Sequence, residues 1–376
     1  MVFMKLRVFE MERWQSTWEN VVEYNLSESG AHPLRVSELL ENTDNDLSSQ
    51  LLGYTQTNGT PELRKAIAEM YIGAQPENIL VTNGSSEAIF VTMWSFLERG
   101  AEIVVMLPNY MQVWGLTKTF GTRTKTFKMR AEKGEWLPDL RGLRKALSKR
   151  TKLIAICNPN NPTGAILHEE AVQEICALAR KVNAWVLSDE VYQGAELDGK
   201  ITNSIWGEYD KVMITNGLSK AYGLPGLRIG WLVTAPELAK KLWAYHDYTT
   251  IGPAALSDYL ATKALRPDMR SRLLERTREH LRTNLPVVKE WVGRHGHNFS
   301  FIPPRAGAIA YLKYNLRINS TSFAQRLRKE KSTLIVPGDY FGMDRYIRIG
   351  YGPPKEYLIA GLNRVDEMVQ ELQRKD

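Results

Sequence analysis

The segment Gly217-Leu218-Ser219-Lys220-Ala221-Tyr222-Gly223-Leu224-Pro225-Gly226-Leu227-Arg228-Ile229-Gly230 concentrates groups that can do chemistry. Lysine is the usual side-chain nucleophile toward an aldehyde, and arginine is a fixed clamp for a phosphate. Lys220 stands between a strand pattern and a glycine-studded turn, with Arg228 eight positions later. Glycines there let the backbone come close to a ligand. Upstream, Asn158-Pro159-Asn160-Asn161-Pro162-Thr163-Gly164 directly follows a strand pattern ending at Cys157, and Ser188-Asp189-Glu190-Val191-Tyr192 follows one ending near Leu187. Alone, the first is an ordinary turn and the second an ordinary strand end. Together with Lys220 they place three polar groups at the carboxyl ends of three strands, where ligands of α/β sheets sit.

Elements that could position these groups are legible in the pattern. Asn78–Thr82, Glu102–Leu107, Lys152–Cys157, Ala184–Ser188, Lys211–Thr215 and Arg228–Val233 read as strands rich in Val and Ile. Ser86–Glu98, Leu140–Lys149 and Glu169–Lys181 between them read as helices. This alternation predicts an α/β domain with a mostly parallel sheet covered by helices on both faces. Asn83-Gly84-Ser85-Ser86 follows the first strand and opens a helix, whose N-terminus offers free N–H groups to an anion. After Pro253 the character changes. Ala254–Leu265, Met269–Trp291 and Pro354–Arg374 are helical, with short strands expected at Ile309–Tyr314, Thr333–Pro337 and Tyr346–Tyr351. The expected organisation is an N-terminal arm, 1–45, packed on a smaller α+β domain at 254–376 or on a partner chain, with the large domain at 46–253.

The chain has 376 residues, 43% apolar and 24% charged, a globular balance that argues against disordered and fibrous classes. Uninterrupted apolar runs are too short for a transmembrane helix, and the first ten residues lack the apolar core of a secretion signal. No membrane partner is expected. Cys157 and Cys176 form neither a disulfide framework nor a metal spacing, so reduced thiols in a cytoplasmic protein are expected. The net charge of +7 comes from 49 basic against 42 acidic residues that are dispersed, so no nucleic-acid partner is expected. No G-x-G-x-x-G follows a strand, and neither a P-loop nor H-E-x-x-H occurs.

The lysine segment, Asn-Pro-x-Asn-Pro-Thr-Gly and Asp-x-x-Tyr, in that combination, resemble the fold-type-I pyridoxal-phosphate enzymes, in particular the class I/II aminotransferases related to aspartate aminotransferase. The resemblance spans about Ser27 to Gly350. It implies pyridoxal 5'-phosphate held on Lys220 as a Schiff base, with Lys220 afterwards free to carry a proton. It implies Asp189 against the pyridine nitrogen, where a carboxylate keeps the ring protonated and electron-withdrawing. Asn161 and Tyr192 would hydrogen-bond the ring's 3-oxygen, Asn161 also facing substrate. Ser85, Ser86, Ser219 and Arg228 would form the phosphate cup, and Tyr110 would cover the ring face away from Lys220. Tyr54, in Gly53-Tyr54-Thr55-Gln56-Thr57-Asn58-Gly59, resembles the tyrosine that reaches the phosphate of a neighbouring subunit, which implies a homodimer with shared sites. In Tyr346-Ile347-Arg348-Ile349-Gly350, Arg348 resembles the arginine that pairs with the substrate α-carboxylate, with Arg345 as competitor.

The expected activity is transfer of the α-amino group of an L-amino acid to a 2-oxo acid. The same apparatus supports a lyase or cyclase acting on an amino acid. Where many relatives carry G-x-P-D/E-F, this chain reads Asn25-Leu26-Ser27-Glu28-Ser29-Gly30-Ala31-His32-Pro33, with Gly30 in the substrate-facing glycine role and His32 either a substrate contact or catalytic helper or a turn or surface residue. Tyr245–Thr250, where dicarboxylate-specific relatives place a second arginine, contains none, and Asp247 and Glu28 would favour a cationic or polar side chain.

Overall fold

The computed structural model describes residues 6–40, 46–96 and 100–374. Its centre is an eight-stranded sheet, in spatial order Ile79–Thr82, Gly230–Val233, Val212–Gly217, Trp185–Asp189, Thr151–Cys157, Glu102–Leu107, Arg123–Glu132 and Glu135–Pro138. From Val212–Gly217 to Arg123–Glu132 all pairings are parallel; Gly230–Val233 and Glu135–Pro138 run antiparallel to their neighbours. Alternate residues of each inner strand feed opposite faces. Ile103, Val105, Leu153 and Ala155 pack with Ala88, Ile89, Met93 and Leu242 on one side, while Val104, Met106, Ile154 and Ile156 join Ile175 and Ala179 on the other. Continuous apolar strands therefore follow from two buried faces.

Arg123–Glu132 and Glu135–Pro138 escape a search for Val/Ile runs because they lie at the sheet edge. Arg123, Lys128 and Arg130 are solvent-facing, and only Phe127 and Met129 of the first strand and Trp136 of the second are buried. The strand expected from Arg228 starts at Gly230 instead, because a 3-10 turn, Pro225–Leu227, ends with Arg228 left-handed at φ 53°. The helix expected over Ser86–Glu98 runs Ser85–Phe96; the rest of that expectation lies outside the described residues.

The remaining chain forms a four-stranded antiparallel sheet, Phe299–Phe301, Ile309–Tyr314, Tyr346–Gly350 and Val336–Pro337, beside the helices Pro267–Arg294, Ser320–Lys331 and Lys355–Gln373. The strand expected over Thr333–Pro337 divides. Thr333–Leu334 pairs in parallel with Tyr24–Asn25 of the arm, and Val336–Pro337 pairs with Tyr346–Gly350. The arm's first helix, Glu10–Trp18, is also fastened to this lobe: Trp14 Nε1 donates to the Ile335 carbonyl at 2.9 Å, and the Arg328 guanidinium lies 3.7 Å from the Trp18 ring centroid. Cys157 and Cys176 are both buried and free. Among the described residues no helix is long and apolar enough to cross a membrane.

Candidate active site

The carboxyl ends of the central strands, the small sheet and the first helix enclose a cavity of about 320 Å³. Eleven of the expected residues line it: Glu28, Ser85, Ser86, Tyr110, Asn161, Asp189, Tyr192, Ser219, Lys220, Arg228 and Arg348. Each main-sheet contributor stands just beyond, or at the end of, a strand. Asp189 closes Trp185–Asp189, Asn161 follows Thr151–Cys157, Tyr110 follows Glu102–Leu107, and Ser219 and Lys220 follow Val212–Gly217.

Ser85 and Ser86 open a twelve-residue helix whose first N–H groups and positive dipole end suit an anion. Arg228 Nη1 reaches Ser219 Oγ at 3.3 Å beside them. Gly230 permits this gathering, because a Cβ there would run into the Ser85 nitrogen and the Gly84 carbonyl carbon. Two hydroxyl-bearing segments, a helix N-terminus and a guanidinium form a donor set for a phosphate.

The Asn158–Gly164 loop is locked by its own side chains. Thr163 Oγ1 donates to Asn160 Oδ1 at 2.7 Å, and the Leu167 N–H donates to Asn158 Oδ1 at 2.9 Å. Asn161 Oδ1 accepts from Arg348 Nη1 at 2.9 Å. Asp189 is buried, with only long contacts of 3.4 Å from the Val191 N–H and Thr215 Oγ1. Burial pushes its carboxyl up to about 6, and these contacts and the Lys220 charge counter that only in part. A buried, under-partnered carboxyl is suited to a ligand cation. Tyr192 donates to Ser29 Oγ at 2.9 Å, and Tyr110 donates to Glu12 Oε1 at 3.0 Å; burial pushes both phenols above their ordinary range.

Lys220 Nζ donates to Glu28 Oε1 at 2.6 Å. Burial pushes Glu28 up, but the Lys220 charge and hydrogen bond, helped by the Gly30 N–H, outweigh it and hold the carboxyl at about 2. The Glu28–Gly30 loop is pressed onto the small sheet, where a Cβ at Gly350 would strike the Glu28 carbonyl. Arg348, 1% exposed, extends from that sheet; its Nη2 donates to the Ser27 carbonyl at 2.7 Å and to Gln15 Oε1 at 3.3 Å.

Of the competing arginines, only Arg348 lines the cavity; Arg345 is turned to the Leu316 carbonyl at the surface. Gly30 is adjacent to the site rather than lining it, its Cβ direction meeting Lys220 Cδ at 3.3 Å. His32 is exposed and outside the cavity, its carbonyl accepting from Arg276 Nη1 at 3.0 Å, which favours the surface reading. Asp247 is exposed and absent from the lining, so the expectation that it faces substrate is corrected. Tyr54 is 94% exposed and lines a separate depression with Leu52, Thr57, Asn83 and Thr250. Sequence reasoning missed Met11, Glu12, Gln15 and Glu19. Their one signal was the three- and four-residue spacing of Glu12, Gln15 and Glu19, which places polar groups on one helix face.

The donor set fits pyridoxal 5'-phosphate: an amine for its aldehyde, a buried carboxyl for its ring nitrogen, and a helix N-terminus with serines and an arginine for its phosphate. The sequence profile described as Aminotransferase class I and II matches residues 23–365. Capreomycidine synthase of Streptomyces vinaceus is 29% identical over 367 residues, covering 95% of this chain and 92% of that protein. A PLP-dependent aminotransferase from Streptococcus suis superposes with a TM-score of 0.91 at 33% identity, over 98% of this chain and 99% of that one. The PLP-dependent cyclase OrfR superposes with a TM-score of 0.89 at 25% identity, over 99% of both chains. This chain belongs to the class I and II aminotransferase family, whose fold is that of the fold-type-I enzymes and whose cofactor is pyridoxal 5'-phosphate.

Proposed function

We propose that the chain is an aminotransferase that moves the α-amino group of an L-amino acid to a 2-oxo acid. The observation that carries this reading is that Lys220, Asp189, Arg228 with Ser219, and Arg348 line one cavity. Bound pyridoxal phosphate supplies an aldehyde for the amino group and a ring that withdraws electrons from the α-carbon. The protein supplies the rest. Lys220 would carry the cofactor and hold or deliver the proton at the substrate α-carbon. Asp189, in its carboxylate form, would hold a proton on the ring nitrogen. Asn161 and Tyr192 would bind the ring's 3-oxygen, Tyr110 would lie on the ring face, and Ser85, Ser86, Ser219 and Arg228 would anchor the phosphate. Arg348 would orient the α-carboxylate, with Gly30 leaving room beside it. Tyr54, exposed in a single chain, would complete the phosphate site of a second copy in a homodimer.

Likeness to the cyclase OrfR over the whole chain favours one second reading, in which the activated amino acid closes on itself or eliminates a substituent instead of exchanging its amino group. Borohydride reduction of the cofactor-saturated protein followed by peptide mapping tests the shared premise; a tether anywhere but Lys220 refutes it. Mass analysis of products then separates the two. A 2-oxo acid formed only when an acceptor 2-oxo acid is present supports transamination; ammonia or a cyclised product without acceptor supports the second reading.

A further inference from the structure

Glu12 and Gln15 reach the cavity from one face of the first helix, Glu19 from the cap at its end, and Glu28 from the following loop. All three carboxylates line the one cavity, and the Glu19 carboxyl is pushed up by burial first and then by the charges of Glu28 and Glu12. Among the described residues, neither Glu12 nor Glu19 forms an ion pair, and Glu28 is paired with Lys220.

The cations of the same cavity are Lys220, Arg228 and Arg348. In the function proposed above, on which this inference rests, Lys220 is committed to the cofactor aldehyde, Arg228 to the phosphate and Arg348 to the α-carboxylate. Arg348 is fully enclosed, and its Nε has no hydrogen-bond partner among the described residues, so a donor is held in reserve for an anion. The cavity therefore holds one enclosed guanidinium with a spare N–H and three carboxylates, of which Glu28 and Glu12 also feel the Arg348 charge.

We propose that the substrate is an L-amino acid whose side chain ends in a guanidinium or ammonium, held by Glu12, Glu19 and Glu28 while Arg348 holds the α-carboxylate. A side-chain carboxylate would add a fourth negative charge to three. A neutral side chain would leave Glu12 and Glu19 without an ion pair, and Glu28 too once Lys220 is committed to the cofactor, in a partly enclosed space, which is unfavourable.

The test uses the cofactor-loaded protein. Values of kcat/KM and calorimetric dissociation constants are measured for L-arginine, L-ornithine, L-lysine, L-norleucine and L-glutamate. The best cationic amino acid is expected to exceed L-norleucine by at least about tenfold in both quantities, the scale of one charged hydrogen bond. Glu12→Gln and Glu19→Gln are each expected to lower that ratio, and the double variant to remove most of it. A general structural defect would lower both substrates together and leave the ratio intact. Equal or better use of L-norleucine or L-glutamate by the unaltered protein, or an unchanged ratio in the double variant, overturns the subsite while a tether on Lys220 leaves the proposed function standing. A cofactor absorbance that responds to no amino acid overturns both.

Discussion

Lys220 Nζ and Glu28 Oε1 meet at 2.6 Å although 192 positions separate them in the chain. The contact joins the turn after a central strand to a loop of the N-terminal arm, so the proposed nucleophile is held by a segment outside the main sheet.

An ammonium must lose a proton and leave the Glu28 carboxylate before its nitrogen can attack an aldehyde. Glu28→Gln is therefore expected to speed attachment of pyridoxal phosphate to Lys220 at neutral pH by several-fold. Stopped-flow absorbance of the cofactor band checks this; an unchanged or slower rate would mean that Glu28 does not restrain the amine. The Glu28 carboxyl is held low, so its contribution to stability is present above its ordinary pKa of 4.5 and fades as pH falls toward about 2.

Asp189 behaves in the opposite sense. Its carboxyl rises from 3.8 to about 6 through burial, so the cofactor-free fold favours the neutral form. That advantage is complete below about pH 4 and is lost as pH rises through about 6. A shift of this size corresponds to about 3 kcal/mol. Asp189→Asn should thus stabilise the cofactor-free protein at pH 8, by up to that amount, and have little effect at pH 4, while turnover collapses. Thermal unfolding of both proteins at the two pH values decides the matter.

Gly230→Ala places a methyl against the backbone of Gly84 and Ser85, which has no flexible end to yield. Overpacking of this kind costs about 1–3 kcal/mol. The expected result is lower thermal stability together with cofactor loss on dialysis, because the displaced backbone is the floor of the proposed phosphate site. Undiminished retention would detach Ser85 from that role.

Arg348→Lys keeps a charge but removes the planar fork that now serves Asn161 and the Ser27 carbonyl. The amino-acid KM should rise about 10- to 100-fold, the scale of losing one charged hydrogen bond, with a smaller change in kcat. Steady-state kinetics on the preferred amino acid would expose an unaffected KM.

The main sheet was readable where strands are buried on both faces, since Glu102–Leu107 and Thr151–Cys157 must then be apolar almost throughout. It was unreadable at the edge, where Arg123–Glu132 has one wet face and carries charges that mimic a loop. The helix Ser320–Lys331 was likewise passed over. Its last turn holds Arg328, Lys329 and Lys331, and only Ser320, Phe323, Ala324 and Leu327 mark its buried side.

The site divides along the same line. Lys220, Arg228, Asp189 and Asn161 were legible because each lies in a short contiguous motif just beyond or beside a strand end, and the order and spacing of those motifs carry the family resemblance. Tertiary structure alone decided that Arg348 rather than Arg345 enters the cavity, that His32 and Asp247 stay outside it, and that Glu12 and Glu19 arrive from the arm. The physical reason is that side-chain direction on a strand or helix is set by which face the rest of the fold buries. For the arm, that face is chosen by contacts with Ile335 and Arg328, more than three hundred residues away in the chain.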